Sequence, residues 1–88
     1  NKLAANTAFM LGNAFFSAGA VGKAVYYYAK AIEYNPELYY AYYNLGITYS
    51  AAGNAKKAAE TMKRLLELKP DFEKATEAKK IISGAANR

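Results

Sequence analysis

Apolar side chains recur along this 88-residue sequence at intervals of three and four residues, the spacing of one face of an α-helix. No segment shows the strict alternation of apolar and polar residues that is typical of a half-buried strand. Glycine and proline divide the helical pattern into five stretches. The sequence therefore predicts an all-α chain with helices at residues 5–18, 23–34, 37–51, 56–68 and 71–83.

The residues between these stretches are of the types that begin and end helices. Asp71 is placed to cap the start of the fifth helix, and Gly84 to end it. The full set of predicted turn and cap residues is Gly19, Gly22, Pro36, Gly53, Asn54, Pro70, Asp71 and Gly84.

The helical pattern contains an internal repeat. The Leu11-Gly12 pair recurs 34 positions later as Leu45-Gly46. The same offset relates four further pairs: Phe15 and Tyr49, Gly19 and Gly53, Ala24 and Ala58, and Pro36 and Pro70. A 34-residue period with two helices in each unit is the signature of one class of helical repeat.

These residues make the chain resemble the tetratricopeptide repeat family. The first unit matches the family pattern with Ala8, Leu11, Gly12, Phe15, Gly19, Ala24, Tyr28, Ala31 and Pro36. The second unit matches it with Tyr42, Leu45, Gly46, Tyr49, Gly53, Ala58, Met62, Leu65 and Pro70. Ala8 is smaller and Leu65 larger than the family prefers, which predicts local changes in packing.

The resemblance implies antiparallel helix-turn-helix units that stack into a right-handed superhelix within a single domain. The units are expected at residues 5–38 and 39–72, followed by a capping helix at 73–84 that starts near Asp71, and a tail at 85–88. The small residues Gly12, Gly46, Ala24 and Ala58 are expected where paired helices approach closely.

Composition argues against an enzyme. The chain has no histidine and no cysteine, so the commonest general base and the thiolate ligands of metals are absent. Its acidic residues lie mainly beside basic ones at helical spacing, as in Glu60 and Arg64. We therefore expect no catalytic residues, no metal and no cofactor.

By resemblance, the first helix of each unit lines a concave groove that binds a peptide or another protein. The predicted groove residues are Asn6, Phe9, Asn13, Phe16, Tyr40, Tyr43, Asn44, Ile47 and Lys74. Tyr40, Tyr43 and Ile47 form a single stripe, and aromatic rings are common anchors of interfaces. Tyr42 is instead assigned to the core, and Tyr39 to the contact with the preceding unit.

One subclass of the family holds a peptide's C-terminal carboxylate with two asparagines and three cations. Asn13, Asn44 and Lys74 match three of those five positions, but Phe9 and Ala78 replace the other two cations. A mainly apolar or aromatic groove is therefore favoured over a carboxylate clamp.

Two other functions remain open at this stage. The chain could be a structural or engineered scaffold that self-associates, with Tyr26 and Tyr27 either packed or forming the contact. Binding of single-stranded RNA is the less favoured alternative, because two units would read about two bases. The net charge of +5 is concentrated in residues 55–88, away from most aromatic residues.

The sequence shows no signal-peptide pattern and no apolar run of transmembrane length. These observations favour a cytoplasmic protein without a membrane partner, but they do not define the compartment. Partner identity, source and oligomeric state, including a possible homo-oligomer, are likewise left open.

Overall fold

The structure is a computed structural model, which describes residues 1–86. These residues form five α-helices and, within that range, no β-strand. The helices are α1 (Lys2–Ser17), α2 (Val21–Tyr34), α3 (Tyr39–Ala51), α4 (Ala55–Leu68) and α5 (Ala75–Ala86). Each helix packs extensively against its neighbours in the chain, so the molecule is two helical hairpins followed by a final helix.

The first hairpin is closed by contact between Gly12 and Tyr28. Tyr28 is only 2% exposed, and its ring lies against the glycine backbone of α1. In the second hairpin, Gly46 of α3 receives the side chain of Met62 from α4 in the same way. Ala24 and Ala58, also predicted to be at close contacts, are both fully buried.

A second core lies between α3, α4 and α5. It contains Tyr42, Met62, Leu65, Phe72 and Ala78, all of which are buried. The Tyr42 hydroxyl donates a hydrogen bond to the carbonyl oxygen of Pro36 at 2.9 Å. Burial raises the pKa of Tyr42, which keeps its hydroxyl protonated as a donor to the turn.

The two hairpin turns require glycine. Gly19 and Gly53 both adopt φ = +80°, and each follows the last turn of the first helix of its unit. This left-handed conformation is unfavourable for residues with a Cβ atom. The 34-residue offset between the two glycines therefore reflects one backbone conformation used twice.

Several predicted helix boundaries were wrong. Helix α1 starts at Lys2 rather than residue 5, because the Asn1 side chain caps it by accepting hydrogen bonds from the N–H groups of Leu3 and Ala4. Gly22 lies inside α2 and not in the turn before it. Helix α3 starts at Tyr39 rather than residue 37, because Glu37 donates its backbone N–H to the Asn35 side chain within a turn.

The final helix also differs from its prediction. Asp71 does not cap it, because α5 starts only at Ala75 and the Asp71 carboxylate pairs with Lys69 at 3.2 Å. This contact holds the pKa of Asp71 below its ordinary value. Gly84 does not end the helix, and the first half of the predicted tail is helical through Ala86. The rest of that tail, residues 87–88, lies outside the described residues.

Asn54 is the cap of α4 that the sequence predicts. Its side-chain oxygen accepts a hydrogen bond from the Lys57 N–H at 3.1 Å. We expect Asn54→Ala to lower the free energy of unfolding by about 1 kcal/mol, because one N–H at the start of α4 loses its acceptor. Asn54→Ser should retain most of the stability in a urea titration; an equal loss in both variants would contradict the capping role.

Candidate functional site

A concave cavity lies between the first helices of the two hairpins, α1 and α3. Its volume is about 240 Å³. Phe16 and Ile47 supply apolar walls, and asparagine side chains supply polar groups. The complete lining is Asn13, Phe16, Ser17, Tyr28, Asn44, Ile47 and Thr48. Four of the predicted groove residues, Asn13, Phe16, Asn44 and Ile47, are thus brought together in one place.

The two asparagines in this cavity are hydrogen-bonded to each other across the hairpins. Asn44 Nδ2 donates to Asn13 Oδ1 at 3.0 Å. The same Asn13 oxygen accepts a second bond, at 2.5 Å, from the hydroxyl of Tyr28. We refer to Asn13 and Asn44 as the amide pair. Because Asn13 Oδ1 accepts both hydrogen bonds, the two side-chain amides are held in one orientation relative to each other.

Tyr28 anchors the amide pair to the core. Burial raises the pKa of Tyr28, and the neighbouring Asn44 side chain offsets part of that rise. The hydroxyl therefore remains a neutral donor throughout the physiological pH range. Among the described residues, Asn13 Nδ2 donates no hydrogen bond and Asn44 Oδ1 accepts none. One donor group and one acceptor thus remain available to a ligand at this cavity.

Tyr40 and Tyr43 occupy a different place from the amide pair. Both rings pack on Phe72, with centroid distances of 4.9 Å for Tyr40 and 5.7 Å for Tyr43. The Tyr40 hydroxyl also donates a hydrogen bond to the Glu73 carboxylate. We call Tyr40, Tyr43 and Phe72 the aromatic cluster. The stripe predicted from sequence is therefore half-buried, and its rings help to hold the segment that precedes α5.

The remaining predicted groove residues do not line the cavity of the amide pair. Phe9 is half-buried and packs on Tyr28, with ring centroids 5.9 Å apart. Asn6 and Lys74 are exposed. Sequence reasoning missed Thr48, which is 1% exposed and lines the cavity while donating its hydroxyl to the Asn44 carbonyl oxygen at 2.7 Å. Its position four residues after Asn44 is the only signal that could have indicated this contact.

The cavity carries little ionisable chemistry. Within residues 1–86, Tyr28 is its only titratable side chain, and no lysine or arginine of that range lines it. No group of three or more metal-ligating side chains occurs within residues 1–86. None of the five helices combines the length and the apolar character needed to cross a bilayer.

Stacked helical hairpins related by a 34-residue period, with glycine at each close contact, define a helical-repeat protein. The family model for the tetratricopeptide repeat matches residues 15–84. The chain belongs to the tetratricopeptide repeat family, as its residue pattern predicted, and its all-α helical-repeat fold is confirmed. Members of this family generally mediate protein–protein interaction and are generally non-catalytic.

Similar curated proteins are much longer than this chain. DnaJ homolog subfamily C member 3 of Gallus gallus is 34% identical over 62 residues. The protein of the same name from Rattus norvegicus is also 34% identical over 62 residues. In both cases the match covers 70% of this chain and 12% of the relative.

Proposed function

We propose that this chain is a non-catalytic module that binds a peptide segment of a protein partner in the concave groove between α1 and α3. The observation that carries this proposal is the amide pair, which is held in one orientation by Tyr28 and still has a donor and an acceptor to offer. An extended peptide presents one N–H and one C=O at each residue. The amide pair is suited to bind one such backbone unit.

The size of the cavity favours a peptide over a small molecule. A volume of about 240 Å³ lies below the range of roughly 300–1,000 Å³ that is typical of small-molecule sites. It suffices for a single apolar side chain between Phe16 and Ile47. The groove therefore fits a peptide that places an apolar residue next to the backbone unit bound by the amide pair.

The surroundings of the groove favour an internal peptide segment over a C-terminal carboxylate. Two of the three cation positions of the carboxylate clamp are occupied by Phe9 and Ala78, so neither supplies a cation. Phe9 packs on Tyr28, and Ala78 is fully buried. Lys74, the third matching clamp position, is exposed on the solvent side of the described fold. Because none of the lysines and arginines in the described part of the chain lines the cavity, a nucleic-acid backbone is also disfavoured as the ligand.

Asn44→Ala provides the direct test, because it removes one half of the amide pair and leaves the bond from Tyr28 to Asn13 in place. Peptides selected on the wild-type chain from a phage-displayed random library would serve as probes. We expect Asn44→Ala to weaken their binding about tenfold in calorimetric titrations, which corresponds to the loss of about one hydrogen bond.

Thr76→Ala, an exposed polar-to-alanine change on α5, is the matched control and should leave binding unchanged. A library that yields no peptide above background would contradict the proposal, as would peptides that bind Asn44→Ala as well as the wild type. Asn44 is a better test than Tyr40 or Tyr43, because the two rings also stabilise the fold through Phe72.

A further inference from the structure

Another cavity lies between the turn that precedes α3 and the segment that precedes α5. Its volume is about 460 Å³, compared with about 240 Å³ for the cavity at the amide pair. Leu38, Tyr39, Tyr40 and Phe72 form its apolar and aromatic walls. We call it the α3–α5 cavity. It can hold a long side chain of a partner, whose apolar stem would lie against these walls.

The α3–α5 cavity carries negative charge, although the chain as a whole is positive. Three carboxylates and one lysine line the cavity, whereas the net charge of the chain is +5. Lys69 is paired with Asp71 at 3.2 Å, so the charge that remains is that of Glu37 and Glu73. Within residues 1–86, neither of these glutamates forms an ion pair. By contrast, the cavity between α4 and α5 is lined by two lysines and one glutamate.

Aromatic walls and negative charge together favour a cationic side chain as the ligand. The face of an aromatic ring attracts a cation, and a carboxylate bonds to it strongly. The Glu73 carboxylate accepts a hydrogen bond from the Tyr40 hydroxyl and still has positions to accept others. An arginine guanidinium fits better than a lysine ammonium, because it is planar, stacks on rings and can bond two acceptors at once.

One face of α3 connects the groove with the α3–α5 cavity. Ile47 lines the cavity of the amide pair, and Tyr40 lines the α3–α5 cavity. Tyr43 lies between them on the same stripe, with its ring centroid 6.2 Å from that of Tyr40. Seven residues of helix span about 10 Å, a distance that an extended peptide covers in about three residues. A peptide bound at the amide pair can therefore reach the α3–α5 cavity.

We propose that the α3–α5 cavity binds an arginine side chain of the same peptide whose backbone the amide pair binds. This inference rests on the proposed function, because it places both contacts on one peptide. It adds a requirement for charge to that function. The partner segment carries an arginine about three residues from the apolar residue that enters between Phe16 and Ile47. The positively charged chain thus recognises a basic segment through a local reversal of charge.

Nα-Acetyl-arginine amide tests the α3–α5 cavity without a peptide. We expect it to shift the backbone amide NMR signals of Leu38, Tyr40 and Phe72 in the full chain, and the shifts to saturate. Nα-Acetyl-citrulline amide is the control, because it has nearly the same shape but no charge, and it should shift these signals far less. Equal shifts with both compounds would overturn the proposal, since the cavity would then bind the stem and not the cation.

Peptides selected on the wild-type chain test the proposal in the groove. We expect arginine to be enriched at a fixed distance from the apolar residue, and citrulline in its place to weaken binding about tenfold. Glu37→Lys in the chain should weaken arginine peptides about tenfold and leave citrulline peptides unaffected. The turn before α3 should survive this substitution, because it uses the backbone N–H of Glu37 and not its carboxylate.

Glu60→Lys is the matched control for Glu37→Lys. It changes the net charge of the chain equally, but Glu60 is exposed and lines the cavity between α4 and α5. In about 0.15 M NaCl, where charges more than about 8 Å apart are largely screened, it should leave the affinity for arginine peptides unchanged. Equal weakening by the two variants would show that net charge governs binding and would overturn the proposal.

The outcomes separate this proposal from the proposed function. Peptides that lose affinity with Asn44→Ala but show no enriched arginine would support the groove and overturn the arginine site. Enrichment of lysine, an acidic residue or an apolar residue at that position would overturn it as well. A library that yields no peptide would contradict the proposed function. The assignment of an arginine to a groove peptide would then fall too, even if the arginine amide binds.

Discussion

Replacing Gly12 with alanine is expected to lower the free energy of unfolding by about 1–2 kcal/mol. A Cβ atom at this position would lie 2.6 Å from two atoms of the Tyr28 ring. The ring has no room to move, because its hydroxyl is bonded to Asn13 and its face packs on Phe9. Because the ring is held in place, we expect overpacking to cost about 2–3 kcal/mol, the upper part of its usual range, which exceeds the gain of about 1 kcal/mol in helix propensity.

Gly46→Ala is the matched comparison, because it makes the same change at the equivalent position of the second hairpin. Its Cβ atom would meet the end of the Met62 side chain, at 2.7 Å from Cε. Methionine has three rotatable bonds and can move aside. We expect a change below about 1 kcal/mol in urea unfolding. Equal losses in the two alanine variants would show that ring rigidity does not decide the outcome.

The second large effect is expected at Phe72. Its ring is 6% exposed and contacts both Tyr40 and Tyr43. Phe72→Ala should lower the free energy of unfolding by about 3–5 kcal/mol, because it removes a buried ring and leaves a cavity. For a domain whose total stability is about 5–15 kcal/mol, this is a substantial fraction. Amide hydrogen exchange should accelerate most in α5, which the aromatic cluster helps to position.

Phe72→Leu provides the control, because it keeps an apolar side chain in the cluster. It should cost about 1–2 kcal/mol and leave α5 protected from exchange. If Phe72→Ala accelerated exchange equally in α1 and α5, the aromatic cluster would have no specific role in holding the last helix.

The fold was largely predictable because its strongest constraints are local and occur twice. The structure has a left-handed turn residue at both Gly19 and Gly53. It also has a close contact between paired helices at both Gly12 and Gly46. A single occurrence of either glycine would have indicated little. The shared 34-residue offset made each occurrence evidence for the other.

The helix boundaries were less predictable, because residue type alone does not decide where a helix starts or ends. Asp71 is a good N-cap by residue type, yet its carboxylate is paired with Lys69. Gly84 is a good helix end by residue type, but its φ is not positive and α5 continues through it. Neither outcome could be predicted from the periodicity of apolar residues.

The candidate site was predicted only in part, because two first-helix residues on one stripe can have different neighbours. Ile47 faces the amide pair, whereas Tyr40 reaches Phe72 and Glu73 beyond its own hairpin. Leu11 shows the same limit: its residue type predicts a core position, and its counterpart Leu45 is buried, but no described helix covers Leu11. Whether such a residue is buried depends on which helix packs beside it, and this cannot be determined from the residue type.

The sequential order of helix contacts has a consequence for how the chain folds. Each helix relies mainly on the helix before it and the helix after it, so every major contact closes a short loop. Chains dominated by such local contacts fold quickly, in microseconds to milliseconds. In such an array either hairpin can form first and guide the folding of the other. The topology therefore imposes no fixed order of helix formation on residues 1–86, because each major contact joins neighbouring helices.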